Sequence, residues 1–239
     1  MKNQVNNSIK FILVIVLIIS SELLAQNVSA NPTRPSASDN AFLTEYGYTE
    51  IEMGFSGQTN YSSVPLLLKF SALKSVEIGF SMSGLVNSTY IGNKTETKVG
   101  DPGLQLKFQL LKNETMGLAV LGRADFISDD TKFTFYGVPS FITNYGQIDA
   151  TLGITLLNNT TSFIYALAFS PKVNLPFGFY LELFGESFEN YSPIYFDLGV
   201  SYPISSDFIL DAAVVRGLNN EATDWQYQFG LTKTLFKIF

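Results

Sequence analysis

Between residues 99 and 126 the chain alternates with a period of two, and few features constrain a fold more tightly. Leu104, Leu106, Phe108 and Leu110 share one parity, while Asp101, Gly103, Gln105, Lys107 and Gln109 share the other. After the polar turn Lys112-Asn113-Glu114-Thr115 the pattern resumes. Leu118, Val120, Ala124 and Phe126 stand opposite Gly117, Ala119, Arg123 and Asp125. Successive side chains of a strand point to opposite faces, so this is a hairpin with one apolar and one charged face.

A soluble sandwich and a membrane barrel both produce such alternation, and composition separates them. Charged residues make up only 15% of the 239 and aromatics 14%, where soluble domains carry about a quarter charged residues. The apolar face is therefore read as lipid-facing and the charged face as lumenal. Other segments repeat the pattern. Ile51, Met53 and Phe55 oppose Glu50 and Glu52; Ile78 and Phe80 oppose Glu77; Leu152 and Ile154 oppose Asp149. Likewise Leu181 and Leu183 oppose Glu182 and Glu186, Phe196 and Leu198 oppose Asp197, and Leu210 and Ala212 oppose Asp211. Two acids on one face, as at Glu50 and Glu52, need water or partners that a dry core does not supply.

Eleven segments are clear, and a blurred one near residues 132–142 contains Gly137 and Pro139. Bacterial single-chain barrels have even strand numbers, with both termini on the periplasmic side. Accepting the blurred segment gives a closed antiparallel all-β transmembrane barrel of twelve strands; rejecting it with a weak neighbour gives ten. Twelve puts the short connections on one side and the longer ones, residues 86–98 and 218–224, on the other. In the last strand Lys233 falls among lipid-facing residues, which requires a bulge or a lumen-facing register. The terminal Phe239 resembles the C-terminal signal by which outer-membrane barrels are recognised by their assembly machinery.

Residues 1–30 read as a cleaved secretory signal peptide. Lys2 and Lys10 precede an apolar run over residues 11–19, and small residues follow at Ala25 and in Val28-Ser29-Ala30. Cleavage after Ala25 or after Ala30 fits equally. Either cut removes Lys2, Lys10 and Glu22 and takes the net charge from −6 to −7, which argues against nucleic-acid partners. Residues 31–44, rich in Pro, Ser and Asn, read as a flexible periplasmic leader, and residues 45–239 as the barrel.

Val99-Gly100-Asp101 followed by Leu104 to Leu111, with Asp197 to Ile204, Asp211-Ala212-Ala213 and Arg216-Gly217, resemble the outer-membrane family named after the meta-pathway of phenol degradation, a family of transporters. The Pro-Thr-Gly that often follows the fifth strand there is replaced by Ile127-Ser128-Asp129-Asp130. The resemblance implies a twelve-stranded barrel passing small, apolar or aromatic compounds, and no catalytic residues.

Parity nominates Glu50, Glu52, Glu77, Asp101, Lys107, Arg123, Asp125, Asp149, Glu182, Glu186, Asp197 and Asp211 as lumen-lining groups, together with Lys69. An acidic lumen of this kind favours cations or neutral solutes over anions. The competing expectation is that the charges pair across strands and close the interior, leaving a structural or surface-interaction barrel without conductance. The chain has no cysteine and no histidine, so neither thiolate chemistry nor a general base of neutral pKa is available. No enzyme activity, cofactor or metal is expected; the expected partners are outer-membrane lipid and small solutes.

Overall fold

The computed structural model describes residues 28–92, 94–128 and 130–239; the apolar run of the signal peptide and the Ala25 cleavage site lie outside them. Fifteen strands follow in order: β1 (Tyr48–Gln58), β2 (Tyr61–Ser63), β3 (Leu66–Leu73), β4 (Val76–Met82), β5 (Asn87–Ile91), β6 (Lys94–Lys98), β7 (Pro102–Lys112), β8 (Met116–Ile127), β9 (Asp130–Ile142), β10 (Gly146–Leu157), β11 (Thr160–Pro171), β12 (Gly178–Ser187), β13 (Ile194–Ser205), β14 (Phe208–Gly217) and β15 (Trp225–Lys237). Twelve of them, all but β2, β5 and β6, form one antiparallel ring that closes where β15 pairs with β1. Only closure satisfies every edge hydrogen bond in lipid. The blurred segment is β9, a full strand paired with β8 along its length, and the strand count is twelve.

The start of β1 and the end of β15 lie at one end, together with the turns joining β3 to β4, β7 to β8, β9 to β10, β11 to β12 and β13 to β14. At the other end β1 bends into β2, and β2 carries the β5–β6 hairpin as an extension of the sheet beyond the ring. The polar connection expected over residues 86–98 is this hairpin. Tight turns also occur at this end, where Asn60 and Asn158 take φ of 63° and 54°, a region Asn tolerates and hairpin turns need.

The molecule is inside-out relative to a soluble domain. Its most deeply buried side chains include Glu50, Lys69, Glu77, Lys107, Glu182 and Asp197, whereas Phe55, Phe80, Leu104, Phe108, Phe135, Leu167, Leu198 and Phe229 are exposed. Among the described residues no helix is long and apolar enough to cross a membrane; the strands provide the outer apolar wall. A depression of about 760 Å³ lies on that wall between Phe108, Phe135 and Ile154, over Gly122 and Gly137. It faces lipid and belongs to no solute route.

The misfit at Lys233 is resolved at the periplasmic rim. Lys233 stays in register with Ile51 and Phe208, short of the β1–β15 irregularity at Tyr48 and Glu50, and its ammonium turns to the Asp207 carboxylate at 2.8 Å in the β13–β14 turn. Burial alone would raise the Asp207 carboxyl, but the Lys233 ammonium and the Ser205 hydroxyl outweigh it and hold it below the usual carboxylate range. A depressed native pKa stabilises the fold above the unfolded value, about 3.9, and the contribution disappears as pH falls through the native one. Thermal midpoints of the wild type and Asp207→Asn, measured in detergent from pH 7 down to pH 3, are expected to differ near neutrality and to converge at the acid end. A constant gap would mean that the carboxylate charge is irrelevant there.

Candidate functional site

Residues 31–44, expected as a flexible periplasmic leader, run through the barrel interior. The segment forms a hairpin whose limbs are tied by Asn31 Nδ2 donating to the Phe42 carbonyl at 3.0 Å and Asn40 Nδ2 to the Pro32 carbonyl at 3.2 Å. It enters beside the β13–β14 turn, where Ala30 N donates to Ser206 O, and returns to β1 through Thr44. Its composition prevents it from satisfying its own backbone, and the lumenal carboxylates supply the acceptors it lacks.

The contacts circle the barrel wall. Asn31 N donates to Glu50 at 2.8 Å, and the Thr33 amide and hydroxyl both donate to Glu52. Arg34 pairs with Asp211 at 3.2 Å and donates to the Phe229 carbonyl. At the apex Ala37 N and Ser38 N donate to the two oxygens of Glu182 at 2.7 and 2.6 Å. Asp39 accepts from Lys107 at 2.8 Å, Ala41 N donates to Ser140 Oγ, and Thr44 N donates to Glu77 at 2.7 Å. Gly54 and Gly230 make room for this plug, since a Cβ at either would collide with the Arg34 guanidinium.

Eight of the twelve nominated residues thus meet the plug or lie buried beside it: Glu50, Glu52, Glu77, Lys107, Asp149, Glu182, Asp197 and Asp211. Asp149 accepts from Ser140 and Gln147, and Asp197 accepts from the Tyr180 hydroxyl at 2.7 Å. Lys69 bridges Glu50 and Glu52 at 2.6 and 2.5 Å. Arg123, Asp125 and Glu186 stand nearer the far end. Arg123 Nε donates to Asp125 at 2.7 Å, with Lys132 3.6 Å from the other oxygen. Asp101 is not brought into this group: it sits half-buried at the far rim before β7, its amide donating to Ser83.

Above the apex, on the side away from the termini, the lumen opens into a vestibule of about 600 Å³ with Ala37 at its floor. One wall carries Arg123, Asp125 and Lys132; around it run the hydroxyls of Thr134, Thr151, Thr155, Thr160 and Ser162. The opposite wall continues into a recess of about 320 Å³ lined by Ile164, Phe184, Tyr191, Pro193 and Tyr195. Phe184 and Tyr195 stack there with centroids 4.9 Å apart. These inward aromatics were absent from the sequence-based nomination, although Tyr195 has the parity of Asp197 and Phe184 that of Glu182. That parity was the available signal. Among the described residues no cluster of His, Cys, Asp or Glu is arranged to hold a metal ion.

No family model matches the chain, and no curated protein matches it in sequence. Solved structures do match in shape. The COG4313 outer membrane channel from Pseudomonas putida F1 aligns with TM-score 0.65 at 9% identity, over 85% of this chain and 100% of that one. KdgM porin in complex with oligogalacturonate aligns with TM-score 0.61 at 10% identity, over 78% and 99%; the NanC porin gives 0.60 at 10%, over 78% and 100%. The fold is that of a bacterial outer-membrane porin-like barrel. Its apolar outer wall and closed ring suit that membrane on physical grounds as well, and the neighbours are channels and porins, not enzymes.

Proposed function

We propose that this barrel passes small solutes across the outer membrane, receiving them in the vestibule and releasing them to the periplasm when the plug shifts. The observation that carries the reading is the vestibule itself, an open cavity that ends on the plug apex at Ala37. The apex is fastened by hydrogen bonds from two amides to Glu182, and water can replace such bonds at modest net cost.

The finer reading is passage of neutral, apolar or aromatic solutes, as the family resemblance also implies. Phe184 and Tyr195 offer a stacking face beside a ring of hydroxyls. The charges that an entering solute meets are Arg123 and Lys132 against Asp125 and Glu186, an even balance. Five of the acids expected to make the lumen cation-preferring, Glu50, Glu52, Glu77, Glu182 and Asp211, are engaged by the plug, so cation preference belongs to the plug-displaced state. Oligogalacturonate, bound by one neighbour, is a polyanion, and the two vestibule cations are already shared with Asp125. The competing reading, a closed barrel without conductance, is favoured by the number of plug anchors.

Proteoliposome uptake of a neutral aromatic alcohol against a neutral sugar of similar size separates these readings. The aromatic solute is expected to enter faster, and Phe184→Ala with Tyr195→Ala to slow it about tenfold, as loss of one or two stacking contacts of about 1 kcal/mol each implies. No uptake of either solute would leave the closed barrel. The packing of Phe239 on Tyr46 and Phe70 at the β15 end supports a role for that terminus in barrel assembly.

A further inference from the structure

The most deeply buried charges of the lumen do not balance. Glu50 and Glu52 share the single ammonium of Lys69, and all three side chains are at most 3% exposed. Lys69 also donates to the Asn31 carbonyl at 2.6 Å. The other groups on the two carboxylates are neutral: the Thr33 amide and hydroxyl on Glu52 and the Thr234 hydroxyl on Glu50. Arg34 is taken up by Asp211. Glu77, on β4 beside the Lys69 strand β3, adds negative charge, and its partner from the plug is the Thr44 amide. An uncompensated carboxylate in such a place is costly.

One further atom touches Glu50. The main-chain nitrogen of Asn31 donates to Oε2 at 2.8 Å, and in the uncut chain it is an uncharged amide. Immediately before it stand Val28-Ser29-Ala30, small residues of the kind that a signal peptidase accepts. We propose that the chain is cut between Ala30 and Asn31, and that the α-ammonium created at Asn31 is the missing countercharge of Glu50, fastening the plug to the barrel wall. In the hydrolysis water adds its oxygen to the Ala30 carbonyl carbon, the C–N bond breaks, and the released amine takes up a proton, which an α-amino group keeps at neutral pH. A cut after Ala25 would leave the Asn31 nitrogen an amide and the pair of acids with half its charge unanswered.

The inference rests on the lumen geometry and not on any solute, so its test needs no transport assay. Barrel purified from outer membranes is expected to give the intact mass of a chain beginning at Asn31; a chain beginning at Gln26 overturns the proposal. Acylation by an amine-reactive ester at neutral pH, followed by mass analysis of the N-terminal peptide, reads the ion pair. In the folded barrel the Asn31 amine is expected to react about tenfold more slowly than in the unfolded chain, because a neighbouring carboxylate favours the unreactive charged form. Glu50→Gln is expected to recover most of that rate. Equal rates in folded and unfolded wild type, or undiminished protection in Glu50→Gln, would each overturn the role given to the ammonium.

Discussion

Glu182→Ala is expected to raise the open fraction of the channel by one to two orders of magnitude in single-channel recordings, without changing the barrel's mobility on unheated gels. Glu182 accepts both apex amides, Ala37 N and Ser38 N. Hydrogen bonds to a charged acceptor contribute about 1.5–3 kcal/mol each, and every 1.4 kcal/mol is tenfold in a two-state population. Because water in the adjoining vestibule can take over the freed amides, only part of that sum is lost on truncation. Removal of residues 31–42 should go further: it strips the plug's donors from Glu50, Glu52, Glu182 and Asp211 together, and the current should become cation-selective as well as larger. Unaltered conductance in both variants would contradict the assignment of the plug as the gate.

Lys69→Met should be the most damaging single substitution in the barrel. It removes the ammonium from Glu50 and Glu52 while both remain enclosed, and breaking a buried ion pair from one side costs about 3–5 kcal/mol. That is a large share of the 5–15 kcal/mol that holds a typical protein folded. The expected result is loss of the compact band on unheated gels, or a steep fall in thermal midpoint. The triple change Glu50→Gln, Glu52→Gln and Lys69→Met should regain much of the loss, since it withdraws the charges along with their partner. A Lys69→Met barrel as heat-resistant as the wild type would mean that water reaches those carboxylates.

How much of this was legible in the residues follows from what each part depends on. The wall depends on parity, which is local: Leu104, Leu106 and Phe108 against Gln105 and Lys107 decide two faces without reference to the rest of the chain. Strand number followed once β9 was admitted despite Pro139, whose missing donor leaves a short gap in its ladder with β10. The place of Lys233 was ambiguous because the carboxylate that takes its ammonium, Asp207, belongs to the turn before the preceding strand. The plug was misread for a related reason. Judged alone, a Pro-, Ser- and Asn-rich stretch has no core to make; its partners Asp211, Glu182, Lys107 and Glu77 come from strands spread over the whole ring. The excess of inward acids over inward bases was the one hint that something with spare N–H groups belonged among them.

The β5–β6 hairpin ends the sheet on a strand with one unpaired edge. Beyond the membrane β6 offers the sequence Lys94-Thr95-Glu96-Thr97-Lys98, every residue of it exposed, and nothing in the sheet follows it. A bare strand edge invites another copy to stack onto it, yet lysines on such an edge repel a like partner and impose desolvation. In a crowded outer leaflet, where barrels stand shoulder to shoulder, this short cationic border would keep neighbouring molecules from zipping into a continuous ribbon.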